Sequence, residues 1–132
     1  MTPMEQVAQF TRAMGQVVAE HEIDPQTALL RQSLVMEEAK EVSSELLRFK
    51  VDPVSLTKEL ADLLYVVYGT AVAFDLPLEA AFDRVHKSNM SKLNADGRPD
   101  YRRDGKVQKG PNYQPPDLHD LFEGRKTKPS SS

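Results

Sequence analysis

Residues 52–76, DPVSLTKELADLLYVVYGTAVAFDL, decide the fold of this chain. Asp52 and Pro53 form a typical helix start, because an aspartate side chain caps the first turn and proline is favoured at the first helical position. Apolar residues then recur at helical spacing as far as Phe74, which predicts one long helix. Its second half is apolar nearly all round, and such a helix is normally buried on every side. Three other helices of this length hardly enclose it alone, so we expect a subunit interface along it.

The same start signals predict three more helices. Thr2-Pro3 precedes an apolar stripe that predicts a helix over about residues 3–20, and Asp24-Pro25 precedes a helix expected to reach about residue 50. Leu76-Pro77 opens the fourth. The residues expected to face the core in the second and fourth helices are Leu30, Leu34, Val35, Val42, Leu46, Phe49, Leu78, Ala81, Phe82 and Val85. The sequence therefore predicts an all-α fold, a helical bundle of four main helices that forms an oligomer, with an irregular C-terminal loop region.

The pattern changes after residue 93. Residues 94–116 are rich in Gly, Pro, Asp, Lys and Arg without periodicity, which predicts a long loop of the kind that is usually functional or disordered. Residues 117–122 have the apolar spacing of one short helical turn. We interpret residues 1–93 as the helical catalytic domain, residues 94–125 as an irregular basic loop and short helix that pack on it, and residues 126–132 as a disordered tail.

Composition excludes several classes of protein. The chain has 132 residues, enough for one domain, and its 20 acidic against 17 basic residues argue against a binder of nucleic acid polymers. The absence of cysteine excludes disulfides and thiolate zinc sites. The start of the sequence lacks the features of a signal peptide, and the apolar run at residues 63–74 is shorter than the roughly 20 residues of a membrane span. We therefore expect a cytoplasmic protein without a membrane partner.

Two acidic clusters carry the chemistry, EEAKE at residues 37–41 and ELAD at residues 59–62. On a helix, residues three and four apart share a face, and like charges at this spacing destabilise it by roughly 0.2–0.5 kcal/mol per pair. Two such helices facing each other would bring these carboxylates together at one site, where a bound cation would stabilise them. Clustered carboxylate oxygens suit magnesium, with manganese as an alternative, and magnesium suits a substrate that carries phosphates.

Each cluster also has a plainer interpretation. A Glu-rich helix face is commonly just solvated, and Asp62 could be an exposed polar edge on a buried helix. Asp62, however, lies among apolar neighbours, where a carboxylate is costly to bury unless it is paired or binds a metal. Glu45, one turn beyond the first cluster, lies outside the motif, and we expect Glu45→Gln to change little.

The pattern Glu-Glu-x-x-Glu followed by Glu-x-x-Asp resembles the signature of the MazG-like all-α nucleoside triphosphate pyrophosphohydrolases, a superfamily that includes dimeric dUTPases and phosphoribosyl-ATP pyrophosphohydrolase. Seventeen residues separate Glu41 from Glu59, within the family's usual range. The resemblance extends through HKSNMSK at residues 86–92 and DGKVQK at residues 104–109, so it covers most of the chain. It implies a house-cleaning hydrolase that cleaves a nucleoside triphosphate, such as dUTP or a non-canonical deoxynucleotide, to the monophosphate and pyrophosphate. It also implies a dimer or tetramer with the site near the subunit interface.

The resemblance further implies roles for individual residues. The implied magnesium ligands are Glu38, Glu41, Glu59 and Asp62. Glu37 would join a further magnesium or orient the attacking water. Asn89 and Lys92 match the positions that family members use for the sugar or phosphates of the nucleotide, and Lys92 is, with Glu37, also a candidate catalytic residue. From the loop, Lys106 and Lys109 are placed to supply positive charge to phosphate oxygens, although a solvated loop charge is the more common interpretation of each lysine taken singly.

Two other functions are consistent with parts of the sequence. A di-iron bundle needs a Glu-x-x-His pair from each of two helices, and only DRVH at residues 83–86 approaches it, with the wrong acid and no partner. A dimeric helical adaptor with an acidic docking face would explain the Glu-rich helix, but not Asp62 within an apolar stretch. The sequence does not name the base, and Gln32 and Asn89 are candidates for contacts with it.

Overall fold

The computed structural model of the chain describes residues 1–125, which contain four α-helices. These are α1 (Pro3–Ala13), α2 (Pro25–Leu46), α3 (Pro53–Phe74) and α4 (Leu78–Met90), followed by one short 3-10 helix, His119–Phe122. Within the described residues there is no strand, and extended chain pairs only at a single antiparallel bridge between Tyr101 and Val107. The prediction of an all-α fold with four main helices is confirmed. The predicted tail at residues 126–132 lies outside the described residues.

Three helices begin where the sequence predicts. Thr2 Oγ1 accepts a hydrogen bond from the Glu5 amide at 3.1 Å, and a proline follows directly as the first helical residue. Asp24 and Asp52 cap α2 and α3 in the same way, with amide-to-carboxylate distances of 3.3 and 3.1 Å. These side chains satisfy backbone amides that have no partner within the helix.

The first two helices are shorter than predicted. Helix α1 ends at Ala13 because Gly15 adopts a φ of 68°, in the left-handed region that favours glycine and stops a helix. Beyond it, the amides of Ala19 and Glu20 donate to the carbonyls of Val72 and Ala73 at 2.9 and 2.7 Å. This segment therefore satisfies the last carbonyls of α3 rather than extending α1. Helix α2 ends at Leu46, about one turn before the predicted end.

Two compact units make up the described chain, residues 1–76 and residues 77–125. In the first unit α3 packs against both α1 and α2. Its last turn, Ala71 to Phe74, is at most 7 % exposed within the single chain. The last turn of α3 is therefore covered within the single chain, whereas Leu64 and Tyr65 in the same half of the helix are exposed, and the expected subunit interface along α3 stays a prediction.

Some core assignments are wrong. Of the predicted core residues, Val42 is buried, but several others are largely exposed within residues 1–125, and one of these, Phe49, lies beyond the end of α2. The exposed residues are Leu30, Leu46, Phe49, Phe82 and Val85. Glu45, in contrast, is buried, and its Oε2 atom makes no hydrogen bond within the described chain although Arg48 Nε lies 3.2 Å away. A buried carboxylate is no neutral position, so Glu45→Gln is unsuitable as a control.

In the second unit, residues 114–120 are held against α4 by hydrogen bonds. The buried Ser88 hydroxyl donates to the Gln114 carbonyl at 2.7 Å, and the Gln114 amide donates to Ser91 Oγ at 3.0 Å. The Arg84 guanidinium donates to both carboxylate oxygens of Asp120, at 2.7 and 2.8 Å.

No single helix within residues 1–125 is long and apolar enough to cross a membrane; only α3 and α4 taken together meet that length and composition.

Candidate metal centre

Three carboxylates from the two acidic motifs converge in the first unit. Glu38 on α2 and Glu59 and Asp62 on α3 each offer an oxygen, and these oxygens all lie within 4.8 Å of one another. All three residues are half-buried. We call these three residues the carboxylate cluster. It lies entirely within the hairpin formed by α2 and α3.

The antiparallel course of this hairpin explains the convergence. Glu38 meets Glu59 and Asp62, whereas Arg31, seven residues earlier on α2, donates to the carbonyl of Val66 at 2.8 Å, further along α3. Because the contacts move forward on α3 as they move backward on α2, the two helices run in opposite directions. Seven residues of helix span about 10 Å, which is the separation along the hairpin between the carboxylate cluster and the layer of Arg31.

The charges of the carboxylate cluster repel one another. The pKa of Glu38 is raised, first because partial burial removes water from its carboxylate, then because Asp62, Glu59 and Glu37 place negative charge nearby. A raised pKa means that the ionised form is held at a free-energy cost. A cation placed among these oxygens would lower that cost.

Lys58, which is not among the predicted site residues, supplies one such cation. Its Nζ lies 2.6 Å from Asp62 Oδ2 and 3.6 Å from Glu59 Oε1. The hydrogen bond to Asp62 and the negative charges of both acids raise the pKa of Lys58. The positive charge of Lys58 in turn offsets part of the rise in the pKa of Glu38. The signal that could have found it is the spacing of four residues between Lys58 and Asp62 on one helix.

The arrangement fits a small divalent cation. Magnesium binds oxygen ligands at 2.0–2.1 Å in near-octahedral geometry, so oxygens on opposite sides of the ion are about 4 Å apart. A group of carboxylate oxygens within 4.8 Å of one another needs only small side-chain movements to reach that separation. The donors are all hard oxygens, which favours magnesium or manganese over softer metals.

Two predicted acids lie outside this group of three. Glu41, one turn further along α2, is exposed and is not among the converging ligands. Glu37 is exposed as well, yet close enough for its charge to raise the pKa of Glu38. Their assignments, as a fourth ligand and as the residue that orients water, stay predictions.

The predicted substrate-binding residues belong to the second unit. Asn89 is exposed on the last turn of α4, and the carbonyl of the half-buried Lys92 accepts a hydrogen bond from the Gly110 amide at 2.8 Å. This bond brings the chain at Lys109 next to Lys92. Lys109 Nζ lies 4.7 Å from the centre of the Tyr113 ring, a cation–π contact.

Lys106, the last of these residues, is exposed, and its amide donates to Asp104 Oδ1 at 3.1 Å in a tight turn. Within the second unit, the backbone at Lys109 therefore lies beside the backbone at Lys92. The contact of all four residues with a nucleotide stays a prediction.

Arg31 is a second residue of this hairpin that is not among the predicted site residues. Its guanidinium lies against Gly69 of α3, where an added Cβ would come within 2.5 Å of Nη2, and its Nε donates to Thr70 Oγ1 at 3.1 Å. Burial lowers its pKa, and it forms no ion pair with an acid of the described chain. A single arginine without a motif around it gives no sequence signal of this contact.

Comparison with known families gives a match. The sequence model of the phosphoribosyl-ATP pyrophosphohydrolase family matches residues 7–89, from α1 through nearly the whole of α4. The matched range contains every predicted carboxylate and Asn89, whereas Lys92, Lys106 and Lys109 follow it. No curated protein matches the chain.

Proposed function

The chain belongs to the phosphoribosyl-ATP pyrophosphohydrolase family of the MazG-like all-α superfamily, and from this premise we propose that it is a magnesium-dependent nucleoside triphosphate pyrophosphohydrolase. Its family consists of hydrolases that act on a nucleotide. We propose as substrate a nucleoside or deoxynucleoside triphosphate, with dUTP or a non-canonical deoxynucleotide as the leading candidates. The products would be the monophosphate and pyrophosphate. The observation that carries the proposal is the convergence of Glu38, Glu59 and Asp62.

The residues of the chain divide the chemistry between them. The carboxylate cluster would hold the metal, with Glu41 as a further ligand. Magnesium would supply neutralisation of phosphate charge and a lower pKa for a bound water. Glu37, exposed beside Glu38, would orient that water and accept its proton. Asn89, together with the lysines at positions 92, 106 and 109, would bind the sugar and the phosphate oxygens outside the metal shell.

A substrate panel tests this proposal. Purified protein is incubated with canonical and damaged nucleoside triphosphates, and pyrophosphate and orthophosphate are measured separately. We expect pyrophosphate as the primary product, only with magnesium or manganese present. Calcium should bind yet support little turnover, because its looser coordination polarises water less. Orthophosphate as the primary product, or equal activity in EDTA, would contradict the proposal.

We also propose that the protein is a homodimer or homotetramer. The support is an apolar groove between α1 and α3, lined by Phe10, Leu64 and Tyr65, which are 42 %, 55 % and 41 % exposed. Contiguous exposed apolar surface of this kind commonly marks an interface. Leu64 and Tyr65 belong to the apolar half of α3, the helix along which the sequence predicts a subunit interface.

Leu64→Glu tests this assembly. The side chain is more than half exposed, so the substitution should leave the monomer folded while it places a charge in the groove. We expect analytical ultracentrifugation at micromolar concentration to show a dimer or tetramer for the wild type and a smaller species for the variant. Glu79→Gln, an exposed change outside the groove, is the control. A monomeric wild type would refute the assembly.

A further inference from the structure

The carboxylate cluster has an ammonium group of its own. Lys58 Nζ contacts Asp62 Oδ2 at 2.6 Å and approaches Glu59 Oε1 to 3.6 Å, and its charge also acts on Glu38. One cation thus contacts two of the three acids directly. Asp62, its nearest partner, is one of the residues that a metal would need.

We propose that Lys58 is the resident counterion of the carboxylate cluster, and that a divalent cation binds there only by displacing its ammonium group from Asp62. This inference rests on the proposed metal site. Three carboxylates attract a divalent ion strongly, but an ammonium group at contact distance repels that ion and occupies one of its ligands. The two cations therefore compete for the Asp62 carboxylate.

The surroundings of Lys58 permit this exchange. Its side chain is 68 % exposed, so the ammonium can return to water without disturbing the core. Lysine has a flexible stem with a compact, strongly hydrated charge, and it does not hold a carboxylate in the fixed two-pronged geometry of arginine. The ion pair of Lys58 is therefore strong enough to offset the charge of the acids, and weak enough for a divalent cation to displace the ammonium group.

An ordinary surface ion pair would behave differently. Lys87 and Asp83 on α4 form a pair of the same kind, four residues apart and 3.0 Å between charged atoms, outside the carboxylate cluster. The Lys87 side chain is 71 % exposed, nearly the same as that of Lys58. If Lys58 were only such a pair, its removal would have no effect on metal affinity. Lys87→Met is therefore the matched control.

The test measures magnesium binding to the full chain without nucleotide. Isothermal titration with magnesium chloride is performed on wild type, Lys58→Met, Lys58→Arg and Lys87→Met. We expect Lys58→Met to lower the magnesium dissociation constant by about two- to fivefold, the range that corresponds to loss of a competing exposed ion pair. Lys58→Arg, which keeps the charge, should bind no more tightly than the wild type, and Lys87→Met should match it.

Thermal melting supplies a second measurement. Without metal, Lys58→Met should melt below the wild type because its carboxylates lose their counterion, and saturating magnesium should raise its melting temperature by more than it raises that of the wild type. Wild-type protein that binds magnesium while Lys58→Met binds equally or more weakly would overturn the role of Lys58 alone. Wild-type protein that binds no magnesium would overturn the proposed metal site, and the role of Lys58 with it.

Discussion

Asp62→Asn separates a metal ligand from a surface acid. The substitution keeps the shape of the side chain and removes one charge from the carboxylate cluster. It weakens the contact with Lys58, an exposed pair four residues apart that is worth about 0.3–0.5 kcal/mol, and it relieves repulsion from Glu38 and Glu59 at roughly 0.2–0.5 kcal/mol each. The net change therefore runs from a loss of about 0.1 to a gain of about 0.7 kcal/mol. The free energy of unfolding without metal should stay within about 0.7 kcal/mol of the wild-type value, mostly on the stabilising side.

Activity should respond far more strongly than stability. Loss of groups that merely support a metal ligand typically lowers metal affinity or activity by about 10- to 100-fold, so loss of a ligand should lower pyrophosphate release by at least about 100-fold. Urea unfolding gives the stability, and pyrophosphate release from the best nucleotide of the substrate panel gives the activity. Asp83→Asn, which weakens the similar pair with Lys87, is the control and should change neither by much. Full activity in Asp62→Asn, with the control also active, would falsify the metal-site assignment.

Three further predictions follow from contacts described above. Because the folded-state pKa of Glu38 is raised, the stability that its protonated form contributes without metal is fully present below the ordinary glutamate pKa and is lost as pH rises through the raised pKa. The stability advantage of Glu38→Gln over the wild type, measured by urea unfolding, should therefore grow from pH 4 to 7. A constant difference across this range would contradict the prediction. Gly69→Ala should destabilise the wild type, since its Cβ would displace the Arg31 guanidinium, yet stabilise the Arg31→Met background by up to about 1 kcal/mol through helix propensity. An equal effect in both backgrounds, measured by urea unfolding, would count against a contact between these residues. Ser88→Ala removes the buried hydrogen bond to Gln114 and should speed proteolytic cleavage after α4 in a time course against wild type, whereas an unchanged cleavage rate would show that this bond does not fasten the segment.

Local signals account for what the sequence predicted well. The starts of α1, α2 and α3 depend on a capping side chain and the proline beside it, so Thr2, Asp24 and Asp52 are sufficient to place them. The convergence of the two acidic motifs also follows from local signals. Helical spacing puts Glu59 and Asp62 on one face, and a short connection of antiparallel helices brings Glu38 opposite.

Features that depend on distant parts of the chain were missed. Helix α1 stops early partly because Ala19 and Glu20 find hydrogen-bond partners on α3, more than fifty residues away in sequence. The burial of Glu45 and the exposure of Leu30, both on α2, depend on which helix faces meet, and periodicity identifies a helix face without showing what covers it. The contact of Arg31 with α3 is likewise a matter of tertiary packing. Propensity and spacing carry no information about such contacts.

The resident ammonium of Lys58 also bears on how the chain folds during synthesis. The α2–α3 hairpin joins residues that are close in sequence, and contacts of this kind tend to form early because they close short loops. Bringing Glu38 to Glu59 and Asp62 concentrates negative charge at that early step. Lys58 arrives on the same helical turn as two of these acids, so charge balance is built into the nascent hairpin. We therefore expect the hairpin to form at whatever magnesium concentration the newly made chain meets, with the metal needed for turnover and not for folding.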